Sequence, residues 1–205
     1  TSVFAATGAA ISIASGRLSF ALGLQGPCES IDTACSSAVV ALHGAALAVC
    51  AGDCPIALTT AVTLILVPHV SISYARAGML SVDGRCKTFD KSANGYVRGE
   101  GVGGHVITSQ VLGKASPCVG GSAVRQDGKS ASLTAPNGSA QSRLIAVAIS
   151  RAATSSSDGH NSVNRIESHG TGTPLGDPTE ARALAQARAP APTKCVLGGV
   201  KANVG

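Results

Sequence analysis

Small and apolar residues fill positions 7–24 and predict a packed helix, which Gly26-Pro27 ends before a short strand at 29–32. Strand then passes into helix at Cys35. Between Ser36 and Ala51 the chain is Ala, Val, Leu, Cys and one Gly, with His43 as the polar interruption, so this helix has no wet face and is expected to be buried, stopping at Gly52. Positions 55–66, rich in Thr, Val, Ile and Leu, predict a buried strand. A long loop follows at 78–99, dense in turn residues such as Asp83-Gly84 and Asn94-Gly95. Strands are predicted at 101–111 and 118–126, a helix at 141–153 and another strand at 162–168, with a polar surface connection at 154–159. Asp177-Pro178 predicts an N-cap and first-turn proline for a helix running to Arg188. Pro190 and Pro192 break it before a last strand at 195–200. Alternating strand and helix periods give an α/β chain with a layered core and no internal repeat.

Composition narrows the function classes. Apolar residues make up 44% of the 205 and charged residues 13%, which describes a well-buried globular chain rather than a disordered one. With no Trp, two Tyr and three Phe, there is no stacking platform for single-stranded nucleic acid. The net charge of +5 comes from Lys and Arg scattered singly, so it fits a docking face for an acidic protein partner and no nucleic-acid ligand. Seven Cys is an odd number, and Cys50, Cys118 and Cys195 sit in apolar stretches, which suits a reduced intracellular, cytoplasmic setting. The best candidate for a membrane run, 61–67, is strand-sized, so no membrane span is expected. The chain begins without Met and stops at VKANVG, which reads as a cut through a longer protein at both ends.

Chemistry concentrates at three places. In Asp32-Thr33-Ala34-Cys35-Ser36-Ser37 a Cys stands where a helix begins. Helix N-termini carry unpaired N–H groups and about half a unit of positive charge, which favours a thiolate and can stabilise an oxyanion formed by its attack. A small buried hydrophobe is the alternative reading of Cys35. His169 ends a strand in ESHGTGTPLGD, where Gly allows close approach and Thr supplies hydroxyls; it is a catalytic candidate or a satisfied structural His. Lys201 follows a buried strand and needs a partner unless it faces water, and Glu180 is the candidate for an ion pair.

Three other patterns carry less. Gly99-Glu100-Gly101-Val102-Gly103-Gly104 matches a dinucleotide-binding glycine pattern, but a loop precedes it and a strand continues from it. Asn137-Gly138-Ser139 matches a glycosylation acceptor in a chain with no other sign of secretion. Cys50 and Cys54 lack a second pair at zinc spacing, so no metal is expected.

An ordered series of motifs spans nearly the whole chain: SGRLSF at 15–20, DTACSS at 32–37, GRCKTFD at 84–90, GYVRGEG at 95–101, QDG at 126–128, LTAPNG at 133–138, ESHGTGTPLGDPTE at 167–180 and VKANVG at 200–205. This series resembles the ketosynthase domains of type I polyketide synthases and the related animal-type fatty acid synthases. The resemblance implies a thiolase-like fold of stacked α/β/α/β/α layers, of which 1–205 would be the central portion, normally homodimeric. The implied activity is decarboxylative Claisen condensation by a β-ketoacyl synthase. Cys35 matches the nucleophile that takes the acyl chain, and His169 the residue that assists decarboxylation of a malonyl-type extender and stabilises the enolate. Lys201 matches the residue that organises the His region, and Glu180 its acidic partner.

No bound cofactor is implied; acyl and malonyl-type thioesters arrive on the 4'-phosphopantetheine of an acyl carrier protein, with acyltransferase and other synthase domains in the same chain. A fatty acid synthase ketosynthase, or a non-elongating ketosynthase that binds acyl chains without condensing them, are the alternatives. In the family a second catalytic His follows the position of Gly205, and a Gly-Phe-Gly loop lies farther on. The 205-residue piece is therefore expected not to complete condensation alone. Ala202 stands where the family more often has Ser or Thr.

Overall fold

Helix and strand boundaries follow the punctuation of the sequence more closely than its apolar runs. In the computed structural model, which describes residues 2–110, 116–153, 163–189 and 194–204, the expected helix over 7–24 is two: α1 (Ala5–Ala9) and α2 (Ile13–Leu22). Ala10 takes extended backbone between them. Gly23, left-handed at φ 68°, stops α2 with its N–H on the Ser19 carbonyl. The strand expected at 29–32 does not form. Ser30 instead reaches back to α2, where its hydroxyl accepts the Ser15 N–H at 3.1 Å.

A 3-10 turn at Ala34–Ser36 leads into α3 (Ser37–Ala51), which Gly52 ends at φ 84° as expected. The expected burial of α3 is corrected: among its residues only Val49 is buried. Most of its other residues are half-buried, and Val39 and Leu47 are exposed. The described stretch that best matches a span by length and composition is not the 61–67 run. Ala34–Ala51 is an 18-residue helical stretch apolar enough, by length and composition, to cross a bilayer, a property that the core helix of a layered protein shares. Two strands, β1 (Ile56–Thr63) and β2 (Gly101–Thr108), then pair in a sheet. Thr59 is the buried residue of β1, so this strand is also less covered than its apolar composition predicted.

Between those strands, α4 (Pro68–Arg76) begins on a proline, whose missing N–H costs nothing in a first turn. The loop expected at 78–99 is present, pinned by a parallel bridge between Leu80 and Tyr96. Residues 118–126, expected as a strand, join no ladder. They run along α5 (Gly138–Ala153) so closely that a Cβ on Gly121 would stand 2.5 Å from the Ala148 carbonyl oxygen.

Asn137 starts α5, its side-chain oxygen accepting the Ala140 N–H at 3.1 Å. The Asn137 amide donates to the Asp127 carbonyl, so the side chain of the glycosylation pattern is engaged in structure. Ala140 and Ile149 of α5 and Ala183 and Leu184 of α6 (Gly176–Ala187) are buried, and these two helices pack together. Asp177 is not the N-cap expected of it. It lies inside the first turn of α6, and its side chain turns away to backbone N–H groups elsewhere.

β3 (Arg165–Glu167) and β4 (Val196–Gly198) are parallel, with Arg165 beside Val196 and Glu167 beside Gly198, and α6 makes the crossover between them. One turn of helix, α7 (Lys201–Val204), follows. Expectations that rested on Val111, 154–159, Ser162, Pro190 and Pro192 lie outside the described residues. The chain divides into two compact units, one within Thr1–Val62 and Val102–Pro117, the other within Thr63–Gly101 and Cys118–Gly205.

Candidate active site

In the first unit, the DTACSS residues spend their polar groups on their own backbone. The Asp32 carboxylate accepts the Ala34 N–H at 3.0 Å, the Ser37 hydroxyl accepts the Thr33 N–H at 2.8 Å, and Ser36 and Ser37 donate to the Thr33 and Ala34 carbonyls. These bonds hold Ala34 at φ 55°, a left-handed conformation that a residue with a Cβ rarely adopts. The next residue, Cys35, is thereby presented, exposed, in the 3-10 turn at the amino end of α3. The helix-start setting read from the sequence is present; the strand expected before it is not.

Cys28 is a second thiol with a distinctive setting, and the sequence reading passed over it. Hydroxyls of Ser15 and Ser19 beside it hold the thiol below its ordinary range, and the Ser19 hydroxyl lies 3.3 Å from the sulfur.

The second unit brings His169, Glu180 and Lys201 together. Parallel pairing of β3 and β4 sets their carboxyl ends side by side, with the Ser168 N–H and hydroxyl both on the Gly198 carbonyl, at 2.9 and 2.6 Å. His169 therefore leaves β3 beside the turn that carries Lys201 out of β4. The carboxylate of Glu180, from α6, spans two successive amides: one oxygen accepts the His169 N–H at 2.7 Å and the other the Gly170 N–H at 3.0 Å. Lys201 donates to the His169 carbonyl at 2.6 Å. Thus Glu180 and Lys201 grip the amide and carbonyl of one residue and leave its imidazole exposed.

This corrects the expected Lys201–Glu180 ion pair. Among the described residues, the ion pair formed is Lys87 with Asp83. Geometry explains the difference: two N–H groups at the end of β3 are available to the Glu180 carboxylate, and the amine finds a carbonyl one atom group away on the same residue.

Two further residues, unassigned from sequence, support the His169 loop. Asp177, only 3% exposed, accepts the Gly172 N–H at 3.1 Å and the Phe89 N–H at 2.8 Å. The Thr88 hydroxyl donates to the Gly170 carbonyl at 2.6 Å. In the sequence Thr88 stands in the GRCKTFD motif and Asp177 in ESHGTGTPLGDPTE, and neither supporting role is readable without its partners.

Chemically, the first unit offers an exposed thiol at a helix amino end, and the second, taken by itself, an imidazole whose backbone is held at both ends. Among the described residues no three His, Cys, Asp or Glu side chains gather to hold a metal ion. The glycine pattern at 99–104 runs into β2 and opens no helix, as its context predicted.

Comparison with known proteins follows the same lines. Family models for the β-ketoacyl synthase N-terminal domain and the β-ketoacyl synthase C-terminal domain match residues 1–111 and 117–205. The chain is 45% identical to the phenolphthiocerol synthesis polyketide synthase type I Pks15/1 of Mycobacterium bovis over 97% of its length, and 45% identical to the spectinabilin polyketide synthase system protein NorA' of Streptomyces orinoci over 97%. It spans 10% and 6% of those two proteins. Among solved structures it resembles the ketosynthase from module 6 of the bacillaene synthase of Bacillus subtilis 168 with a TM-score of 0.86 and 38% identity, covering 97% of this chain and 36% of that one. An oxazolomycin ketosynthase domain of Streptomyces albus JA3453 matches with a TM-score of 0.84 and 33% identity, over 94% of this chain and 35% of that one.

Proposed function

Because this chain belongs to the β-ketoacyl synthase family and has its thiolase-like fold, we propose that it forms the Cys35- and His169-bearing part of a ketosynthase that elongates polyketide chains. We take 1–205 as the central portion of one such ketosynthase domain, a reading supported by adjacent matches to the family's N-terminal and C-terminal models. The observation that carries the reading is the exposure of Cys35 in a strained, fully hydrogen-bonded turn at the start of α3.

In this mechanism the Cys35 thiolate attacks the carbonyl carbon of an acyl thioester on the phosphopantetheine arm of a carrier protein. The tetrahedral intermediate collapses with loss of the carrier thiolate, which takes up a proton, and the acyl chain is left on Cys35. N–H groups at the amino end of α3 offset charge on the intermediate's oxygen. A malonyl-type thioester then loses carbon dioxide, and the electron pair of that C–C bond becomes an enolate. His169 donates a hydrogen bond to the enolate oxygen. The enolate carbon attacks the Cys35 thioester, a C–C bond forms, and the thiolate departs from a β-ketoacyl product on the carrier protein. Glu180 and Lys201 keep the His169 backbone still during this sequence. No cofactor beyond the carrier's phosphopantetheine arm takes part. The carrier protein, an acyltransferase and other synthase domains are the partners, in a homodimeric, intracellular synthase.

The polyketide reading is preferred to a fatty acid synthase because the two sequence relatives cited above are named polyketide synthases. To test it, the intact polypeptide bearing this segment is incubated with an acyl thioester and a malonyl-loaded carrier protein. Mass spectrometry is expected to find the acyl group on the Cys35 peptide and a β-ketoacyl carrier protein, both lost in Cys35→Ala. Acylation with no β-ketoacyl product would replace elongation by the non-elongating alternative, and acylation elsewhere would refute the role of Cys35. By itself the segment 1–205 should not sustain condensation.

A further inference from the structure

The loop at 78–99 places one side chain against both strand ends of the candidate site. Thr88, half-buried, donates its hydroxyl to the Gly170 carbonyl across 82 residues of chain. Its methyl occupies the space in front of two glycines. A Cβ on Gly170 would lie 2.5 Å from that methyl carbon, and a Cβ on Gly199 would collide with it as well. Gly170 directly follows His169 on the exit from β3, and Gly199 precedes Lys201 by two residues on the exit from β4. One threonine thus touches the two backbone segments that carry the histidine and the lysine.

Its own backbone is held on both sides. On one side, Phe89 is left-handed at φ 57° with its N–H on the buried Asp177 carboxylate; on the other, Lys87 pairs with Asp83. The hydroxyl is therefore delivered from a fixed base. Around His169 the peptide groups are all assigned: Glu180 takes the N–H groups of His169 and Gly170, Lys201 the carbonyl of His169, and Thr88 the carbonyl of Gly170. Removal of the hydroxyl would leave that last carbonyl, on a buried glycine, without its donor and free to rotate.

On this geometry, and resting on the condensing-enzyme reading above, we infer that Thr88 is a positioning residue for His169, required for decarboxylation and condensation and dispensable for acyl transfer to Cys35. Its bond is to the His169 loop alone, whereas the Cys35 turn is closed by its own Asp32, Ser36 and Ser37. A displacement of reacting groups by about 1 Å costs on the order of a hundredfold in rate.

The test separates the two half-reactions in the intact polypeptide. Thr88→Val preserves shape and removes the donor, while Thr88→Ser preserves the donor and removes the methyl. For Thr88→Val, release of carbon dioxide from a malonyl thioester should fall about tenfold to a hundredfold in kcat with KM little changed, while the rate of Cys35 acylation stays at the wild-type value. Thr88→Ser should keep decarboxylation within about threefold of wild type, because the hydrogen bond is the part that matters. Wild-type decarboxylation in Thr88→Val overturns the inference, as does an equal loss in both half-reactions, which would mean a general effect on folding. If Thr88→Val does not fold, Thr88→Ser decides: a loss of decarboxylation in that variant with acylation intact assigns the effect to the methyl and overturns the role of the hydroxyl. A wild-type protein that acylates Cys35 yet shows no Thr88 dependence defeats this inference alone. One that neither acylates Cys35 nor decarboxylates malonyl thioesters defeats the condensing-enzyme reading and this inference with it.

Discussion

Asp177 on α6 accepts the backbone N–H of Phe89 at 2.8 Å, joining positions 88 residues apart in the chain. The same carboxylate accepts the Gly172 N–H, so one buried side chain ties the 78–99 loop to the loop that leaves β3. In Asp177→Ala two N–H groups lose their acceptor at a position closed to water. Each such group costs about 1–3 kcal/mol, so the variant should be less stable by about 2–6 kcal/mol in urea unfolding followed by circular dichroism. Asp177→Asn, which retains one acceptor oxygen, should fall between. Equal stability of Asp177→Ala and wild type would refute the tie.

Gly170 and Gly199 both face the Thr88 methyl, but for different reasons neither tolerates a Cβ. Gly170 is also left-handed, at φ 48°, whereas the constraint at Gly199 is contact with Thr88. Alanine at either position should destabilise by about 1–3 kcal/mol through overpacking, with further strain at Gly170. Combining each with Thr88→Ser removes the colliding methyl. A double-mutant cycle should recover much of the Gly199→Ala loss and less of the Gly170→Ala loss; equal recovery would contradict this division.

Ala34 stores strain one residue before the nucleophile. A left-handed conformation costs a residue with a Cβ about 1–2 kcal/mol, and glycine gives back about 0.5–1 kcal/mol in unfolded-chain entropy. Ala34→Gly should therefore raise stability by about 0.5–1 kcal/mol, and Ala34→Val should lower it by more than about 1 kcal/mol. Melting curves of the two variants check this: destabilisation by glycine would mean that the turn carries no strain.

Cys28 should react with iodoacetamide at lower pH than an ordinary thiol. Its pKa is lowered first by the Ser15 hydroxyl and then by that of Ser19, so the thiolate, the reacting species, is populated below the usual midpoint of about 8.5. Ser15→Ala should move the midpoint of the alkylation profile at the Cys28 peptide upward. An unchanged profile would mean that the hydroxyl does not stabilise the thiolate. Thiol labelling of Cys35 is accordingly best read by peptide mass spectrometry, which separates the two sites.

The candidate site was partly readable before any coordinates. The start of a helix at Cys35, the position of His169 at a strand end and the stop at Gly52 are local features, encoded by residues within a few positions of each other. The ordered motifs carried the family for the same reason, since each is a short run. Helix existence also followed, because periodicity and capping act over a turn or two.

What the sequence determined by itself was thus the inventory of reactive groups and most of the elements that bear them. Tertiary structure decided which group meets which. Residues 29–32 and 118–126 have strand composition but no ladder partner, since pairing depends on a neighbour's edge and not on propensity. Lys201 and Glu180 have complementary charges, and their sequence suggested direct contact. In the fold, parallel pairing of β3 with β4 offers the Glu180 carboxylate two amides and the Lys201 amine a carbonyl on His169, so backbone groups take the place of the ion pair. Thr88 and Asp177 gained their partners the same way, because a hydrogen bond across 82 or 88 residues exists only once the chain between them has folded.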